Sequence, residues 1–118
     1  MKFSESLQKN QDFRRVYSRG KSRANQVLVL YVLRNEGQTN RIGISVSKKI
    51  GNSVIRHQIK RRLKESYRLN ENRFDRGLDI VVIARSGAKE RDFFGLERAL
   101  MYLSGKLGIL LPQEEDML

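Results

Sequence analysis

The chain has no cysteine, no tryptophan, one proline and one histidine in 118 residues. Without cysteine there can be no disulfide, thiolate zinc site or cysteine nucleophile, so zinc fingers leave the field. A single histidine, His57, cannot provide both the proton donor and the proton acceptor of a two-histidine acid–base pair working near neutral pH. Negative charge is also scarce, with 13 acidic residues against 24 basic ones and a net charge of +11. No apolar run approaches the roughly 18 residues of a membrane span, and the N-terminus has no apolar signal core. The chain reads as a soluble, cytoplasmic protein that meets a polyanion, with nucleic acid as the leading partner class.

The length fits one compact unit, taken as a single nucleic-acid-binding domain over 1–111 with a frayed acidic tail, "PQEEDML", at 112–118. "NQDFRRVYSRG" predicts a short amphipathic helix, with Asn10 as cap and Gly20 as stop. "QVLVLYVLR" predicts a strand over 26–34 in which Val27, Val29, Tyr31 and Leu33 share a face. "NEGQTN" then turns into a second strand, "RIGISVS", giving an antiparallel hairpin. Helix is expected from about Ser53 to Leu69, strand over "DIVVIAR", and a final helix within "KERDFFGLERALMYLSGKLG", with Phe93, Leu96, Leu100, Leu103 and Leu107 in one stripe. This order predicts an α+β sandwich with a mainly antiparallel sheet.

Charge is concentrated around the central helix. At 100° per residue, Ile55, Ile59, Leu63 and Tyr67 span about 120° of apolar face, while Lys60, Lys64, His57, Arg68 and Arg61 fill the opposite arc and Arg56 lies at its border. Solvated helix faces ordinarily mix signs because like charges repel, yet Glu65 is the one acid between Arg41 and Arg68. Segregated cations of this kind suit phosphate contact. Gly51, Asn52 and Ser53 add free N–H groups at the helix start, beside Lys48 and Lys49. The carboxylates Asp12, Asp75, Asp79 and Asp92 are scattered without ligand-like spacing, so no protein metal site or catalytic residue is read from them.

"RIGISVSKKIGNSVIRHQIKRRLKE" closely resembles the signature of the bacterial ribonuclease P protein subunit: a Gly-bearing strand, a Lys-Lys-x-Gly turn and an Arg-Asn-x-x-Lys-Arg helix. "NQDFRRVYSRGK", "LVLYVL", "DIVVIAR" and the last helix also stand where that family has them, so the likeness covers nearly the whole chain. His57 stands where the family usually has Asn. The resemblance implies a left-handed βαβ crossover through the basic helix, which is rare among parallel connections. It further implies a subunit that binds a large catalytic RNA and assists removal of the 5′ leader from precursor tRNA, with Mg²⁺ held by the RNA. Lys48, Lys49, Gly51, Asn52, Arg56, His57, Lys60, Arg61, Lys64 and Arg68 would then face the catalytic RNA. Phe13, Tyr17 and Tyr31 would line the leader cleft, beside Arg14, Lys21 and Arg23, stacking bases without sequence preference. A non-catalytic RNA-binding or ribosomal assembly protein is the main alternative. A DNA-reading helix lacks the preceding helix that helix-turn-helix requires, and a membrane-surface helix lacks Trp or Phe anchors.

Overall fold

In a computed structural model, residues 1–113 are described. The elements are β1 (Ser4–Ser6), α1 (Asn10–Arg19), β2 (Lys21–Ala24), β3 (Leu28–Arg34), β4 (Asn40–Ser45), α2 (Ser53–Asn70), β5 (Leu78–Ala84) and α3 (Phe93–Lys106), with 3₁₀ turns at Glu71–Arg73 and Ser86–Glu90. The strands form one sheet in the order β1-β4-β5-β3-β2. It is mixed: β1–β4 and β4–β5 are parallel, while β2–β3 and β3–β5 are antiparallel and pair over more residues.

The expected hairpin between "QVLVLYVLR" and "RIGISVS" does not form, because β3 and β4 are not neighbours in the sheet. β5 inserts between β3 and β4, pairing Leu30 with Val82 on one flank and Ile42 with Ile80 on the other. β5 is the most apolar strand and is buried on both faces, so it takes the centre, where both edges are satisfied by partners. The polar strands β1 and β2 close the two edges.

Strand alternation divides the side chains into two layers. Leu28, Leu30, Val32, Ile42, Ile80 and Val82 face α2 and α3, meeting Ile59, Leu63, Tyr67, Leu96, Leu100 and Leu103 in the main core. Tyr31, Leu33, Val81 and Ile83 face α1 and meet Phe13 and Val16. Val27 belongs to the main core, not to the Tyr31 face: it precedes β3, where Asn25 Oδ1 accepts from the N–H groups of both Val27 and Leu28 and breaks the alternation. Asn10 begins α1 but does not cap it, because Lys9 holds the cap position and makes no side-chain bond there.

The crossover β4–α2–β5 is left-handed. Asn40 N–H donates to Phe3 O and Leu7 N–H to Ile42 O, so the even residues of β4 direct their backbone groups toward β1 while Ile42 turns its side chain to α2. For L-residues, seen from the α2 side with β4 running upward, that geometry puts β1 on the right and β5 on the left. A polar network locks this region. Buried Asn40 donates to Tyr67 Oη and Asp75 O and accepts from Leu78 N–H, while Ser4 Oγ lies 2.6 Å from Tyr67 Oη. Glu71 accepts from the N–H groups of Lys2 and Phe3, anchoring the start of β1.

The acidic tail foreseen at 112–118 lies, from residue 114, outside the described residues. Leu111 N–H donates to Arg73 O, which holds the chain to the domain at Leu111.

Candidate nucleic-acid interface

The basic turn and helix are built around a buried pin. Ile50 enters the core directly after two exposed lysines, Lys48 and Lys49, and its N–H donates to Ser47 O. Asn52 caps α2 by accepting from Ile55 N–H at 3.0 Å, and Arg56 Nε donates to Gly51 O at 3.2 Å. From there α2 buries Ile59, Leu63 and Tyr67, so His57, Lys60, Arg61 and Lys64 stand exposed on the far side. Among the described residues, no acid forms an ion pair with Lys48, Lys49, Arg56, Lys60, Arg61 or Lys64.

Two neighbours differ. Arg68 is gripped by both oxygens of Glu65, which holds that carboxyl below its ordinary range, so its charge is already opposed. Arg41 points away from this face: its guanidinium bridges Asp79, at 2.9 and 2.6 Å, and Asp12, at 3.2 Å. Arg15 also reaches Asp12, at 2.8 Å. Carboxylates that are far apart in sequence thus meet, but around a cation, and this arrangement does not fit a metal ion. Among the described residues no group of three or more His, Cys, Asp or Glu could hold one.

The second surface begins where α1 leaves part of the sheet uncovered. The tip of the Phe13 ring lies against Gly43, where an added Cβ would come within 2.5 Å of it. Tyr17 meets Tyr31 edge-to-face at 5.0 Å, and the Phe13 and Tyr17 centroids are 6.4 Å apart. Burial, then the neighbouring Tyr31, raises the Tyr17 phenol above its ordinary pKa, although the ring remains 39% exposed. Asn10, Arg14, Tyr17 and Ser45 border a concavity of about 510 Å³, and Lys60, Lys64, Gly43 and Gln8 border another of about 450 Å³. Both include Phe13 and Ile44, so they run together and carry the aromatic cleft to the cationic face of α2.

Lys21 and Arg23 are not brought to this cleft. They pair in register with Val32 and Leu30, which face α3, while their neighbour Ser22 pairs with Tyr31. Period-two alternation therefore places both cations on the opposite side of the sheet. Conversely, the contribution of Lys60 and Lys64 to the cleft escaped the sequence reading. Their spacing of four residues, opposite a strand bearing the small Gly43, is the signal that could have shown it.

A family model described as Ribonuclease P matches residues 1–108. The chain belongs to the ribonuclease P protein family. Among curated relatives, the ribonuclease P protein component of Lachnoclostridium phytofermentans is 51% identical over 113 residues, covering 96% of this chain and 97% of its own. The component from Clostridium botulinum strain Langeland is 51% identical over 104 residues, covering 87% and 94%. The solved RNase P protein of Staphylococcus aureus superposes with a TM-score of 0.83 at 36% identity, covering 90% of this chain and 97% of that one. The RNase P protein of Thermotoga maritima gives 0.77 at 31% identity, covering 83% and 93%. As a ribonuclease P protein the chain is a subunit of that endoribonuclease, takes part in tRNA processing and partners the ribonuclease P RNA. No helix among the described residues is long and apolar enough to cross a membrane.

Proposed function

We propose that the chain binds the catalytic RNA of ribonuclease P through Lys48, Lys49, Arg56, Lys60, Arg61 and Lys64, and the 5′ leader of precursor tRNA through the cleft of Phe13, Tyr17 and Tyr31. The enzyme then removes the leader by endonucleolytic cleavage at Mg²⁺ held in the RNA, in the cytoplasm. The polypeptide provides no catalytic group: it neutralises phosphate and positions the leader. The observation that carries this reading is the junction of the two concavities at Phe13 and Ile44. A single strand stacked on the rings leaves the cleft beside Lys60 and Lys64, so leader and catalytic RNA are held on adjoining surfaces. Stacking tolerates any base, as leaders of varied sequence require.

The test is multiple-turnover cleavage of a precursor tRNA by bacterial catalytic RNA at low Mg²⁺. Wild-type protein restores turnover, and Lys60→Ala/Arg61→Ala/Lys64→Ala does not. Among the described residues these three positions carry no ion pair, so the fold is left intact. Cleavage by protein free of RNA would refute the absence of a protein catalytic group. Failure of the wild type to restore turnover would move the chain to the general RNA-binding class.

A further inference from the structure

The most exposed aromatic side chains are not in the cleft. Phe94 and Tyr102, on α3, are 67% and 58% exposed, against 39% for Tyr17. They stand eight residues apart with Arg98 midway, so the three fall within about 80° of α3, while Arg91 lies in the extended segment just before the helix. Between α3 and the β2–β3 connection lies a groove of about 360 Å³, bordered by Arg91, Arg98, Tyr102, Gly95 and Asn25. Its walls are fixed: Asp92 caps α3 through Gly95 N–H at 2.8 Å, Arg85 donates to Asn25 O at 2.9 Å and to Val27 O through its N–H, and Arg62 donates to Arg91 O. No acid borders it. Lys106 lies 5.5 Å over the Tyr102 ring, and Arg23 lies on the same face of the sheet.

The geometry points to this groove as a second binding surface for unpaired RNA, on the side of the sheet opposite the Phe13 cleft: a base stacks on Tyr102 or Phe94 while Arg91 and Arg98 hold the flanking phosphates. An apolar protein partner would not call for Arg91 and Arg98, neither of which forms an ion pair among the described residues. Alternation of rings with guanidinium groups is what a flexible polyanion with π faces requires. The surface also gives Lys21 and Arg23, absent from the cleft, a charged neighbourhood of their own.

Irradiation at a wavelength that couples uridine to aromatic side chains, followed by peptide mass spectrometry, tests this with the full chain and an oligouridylate of about ten nucleotides, and again with the holoenzyme. The expected result is adducts on Phe94 or Tyr102. Arg91→Ala/Arg98→Ala lowers their yield about tenfold, in line with the loss of one or two charge contacts, and leaves the Tyr17 adduct unchanged. Absence of adducts on α3 overturns the inference whatever happens at Tyr17, and the Tyr17 adduct tests the leader cleft separately. A yield indifferent to the double substitution also overturns it. So does sedimentation showing that Tyr102→Ala dissociates a dimer, since the occupant is then a second copy of the chain.

Discussion

Arg41 sits within the cation-rich segment but serves the fold, and replacing it with Met separates the two roles. The substitution keeps the aliphatic stem packed and removes the guanidinium that joins Asp12 to Asp79. Asp79 has a side chain only 1% exposed and would retain Asn35 Nδ2, at 2.9 Å, as its side-chain donor. Breaking a buried pair by removing one partner costs about 3–5 kcal/mol. Arg41 is itself 26% exposed, so the lower end applies. At about 4 °C per kcal/mol for a domain of this size, Tm falls by about 12 °C. Adding Asp79→Asn removes the stranded charge and restores roughly half of the loss, the coupling expected of groups in direct contact. Thermal melts by circular dichroism, with Lys60→Ala as the surface control shifting Tm by less than about 2 °C, provide the assay. A drop under about 4 °C for Arg41→Met, or a double variant no more stable than the single, would refute the assignment of Arg41 to the fold.

In salt titrations of RNA binding, each of Lys60→Ala, Arg61→Ala and Lys64→Ala should flatten the log–log slope by somewhat under about one unit while leaving Tm in place. Gly43→Val should displace the Phe13 ring, costing about 1–3 kcal/mol in urea melts and weakening leader binding more than binding of mature tRNA. Burial pushes Glu71 upward, but the N–H groups of Lys2 and Phe3 outweigh it, and Asp75 is lowered by Arg76 N–H and Arg34. Both folded-state values lie below the unfolded ones, so their stabilisation is present above about pH 4.5 and is lost as pH falls through the folded values. Glu71→Gln should flatten that acid limb in melts run as a function of pH. Leu63→Ala should cost about 2–5 kcal/mol by equilibrium unfolding, because Leu63 is 1% exposed between α2 and the sheet.

Much of this architecture was legible where periodicity is strong. Ser53–Asn70 followed its apolar stripe, and the exposed arc of Lys60, Arg61 and Lys64 followed with it. Pairing was not legible, because β3 and β4 carry the same local pattern whether they are neighbours or are separated by a later strand; only the depth of burial of β5 decides it. The short strands β1 and β2 are polar edge strands whose order comes from partners, Glu71 for one and β3 for the other, and nothing in "SES" or "KSRA" announces them. Misplacing Lys21 and Arg23 followed from that omission, since a residue's face cannot be assigned before its strand is known. A charge count over 41–68 also cannot tell a paired cation from an unpaired one. Charge tallies do not see Asp79, 38 residues away from Arg41 in sequence, or the rotamer that turns Glu65 onto Arg68.

The placing of β5 at the sheet centre also bears on synthesis. Among the described residues β3 and β4 are not hydrogen-bonded to each other, so the sheet cannot close until Leu78–Ala84 has left the ribosome. Non-local pairing of this kind is slow, and it makes folding a late event instead of a progressive one. A nascent chain stalled before Leu78 already carries every cation from Lys48 to Lys64 but lacks the strand that joins the β1–β4 and β2–β3 pairs into one sheet. It is charge without register, able to cling to any RNA nearby, and completing the middle strand turns that adhesiveness into a shape.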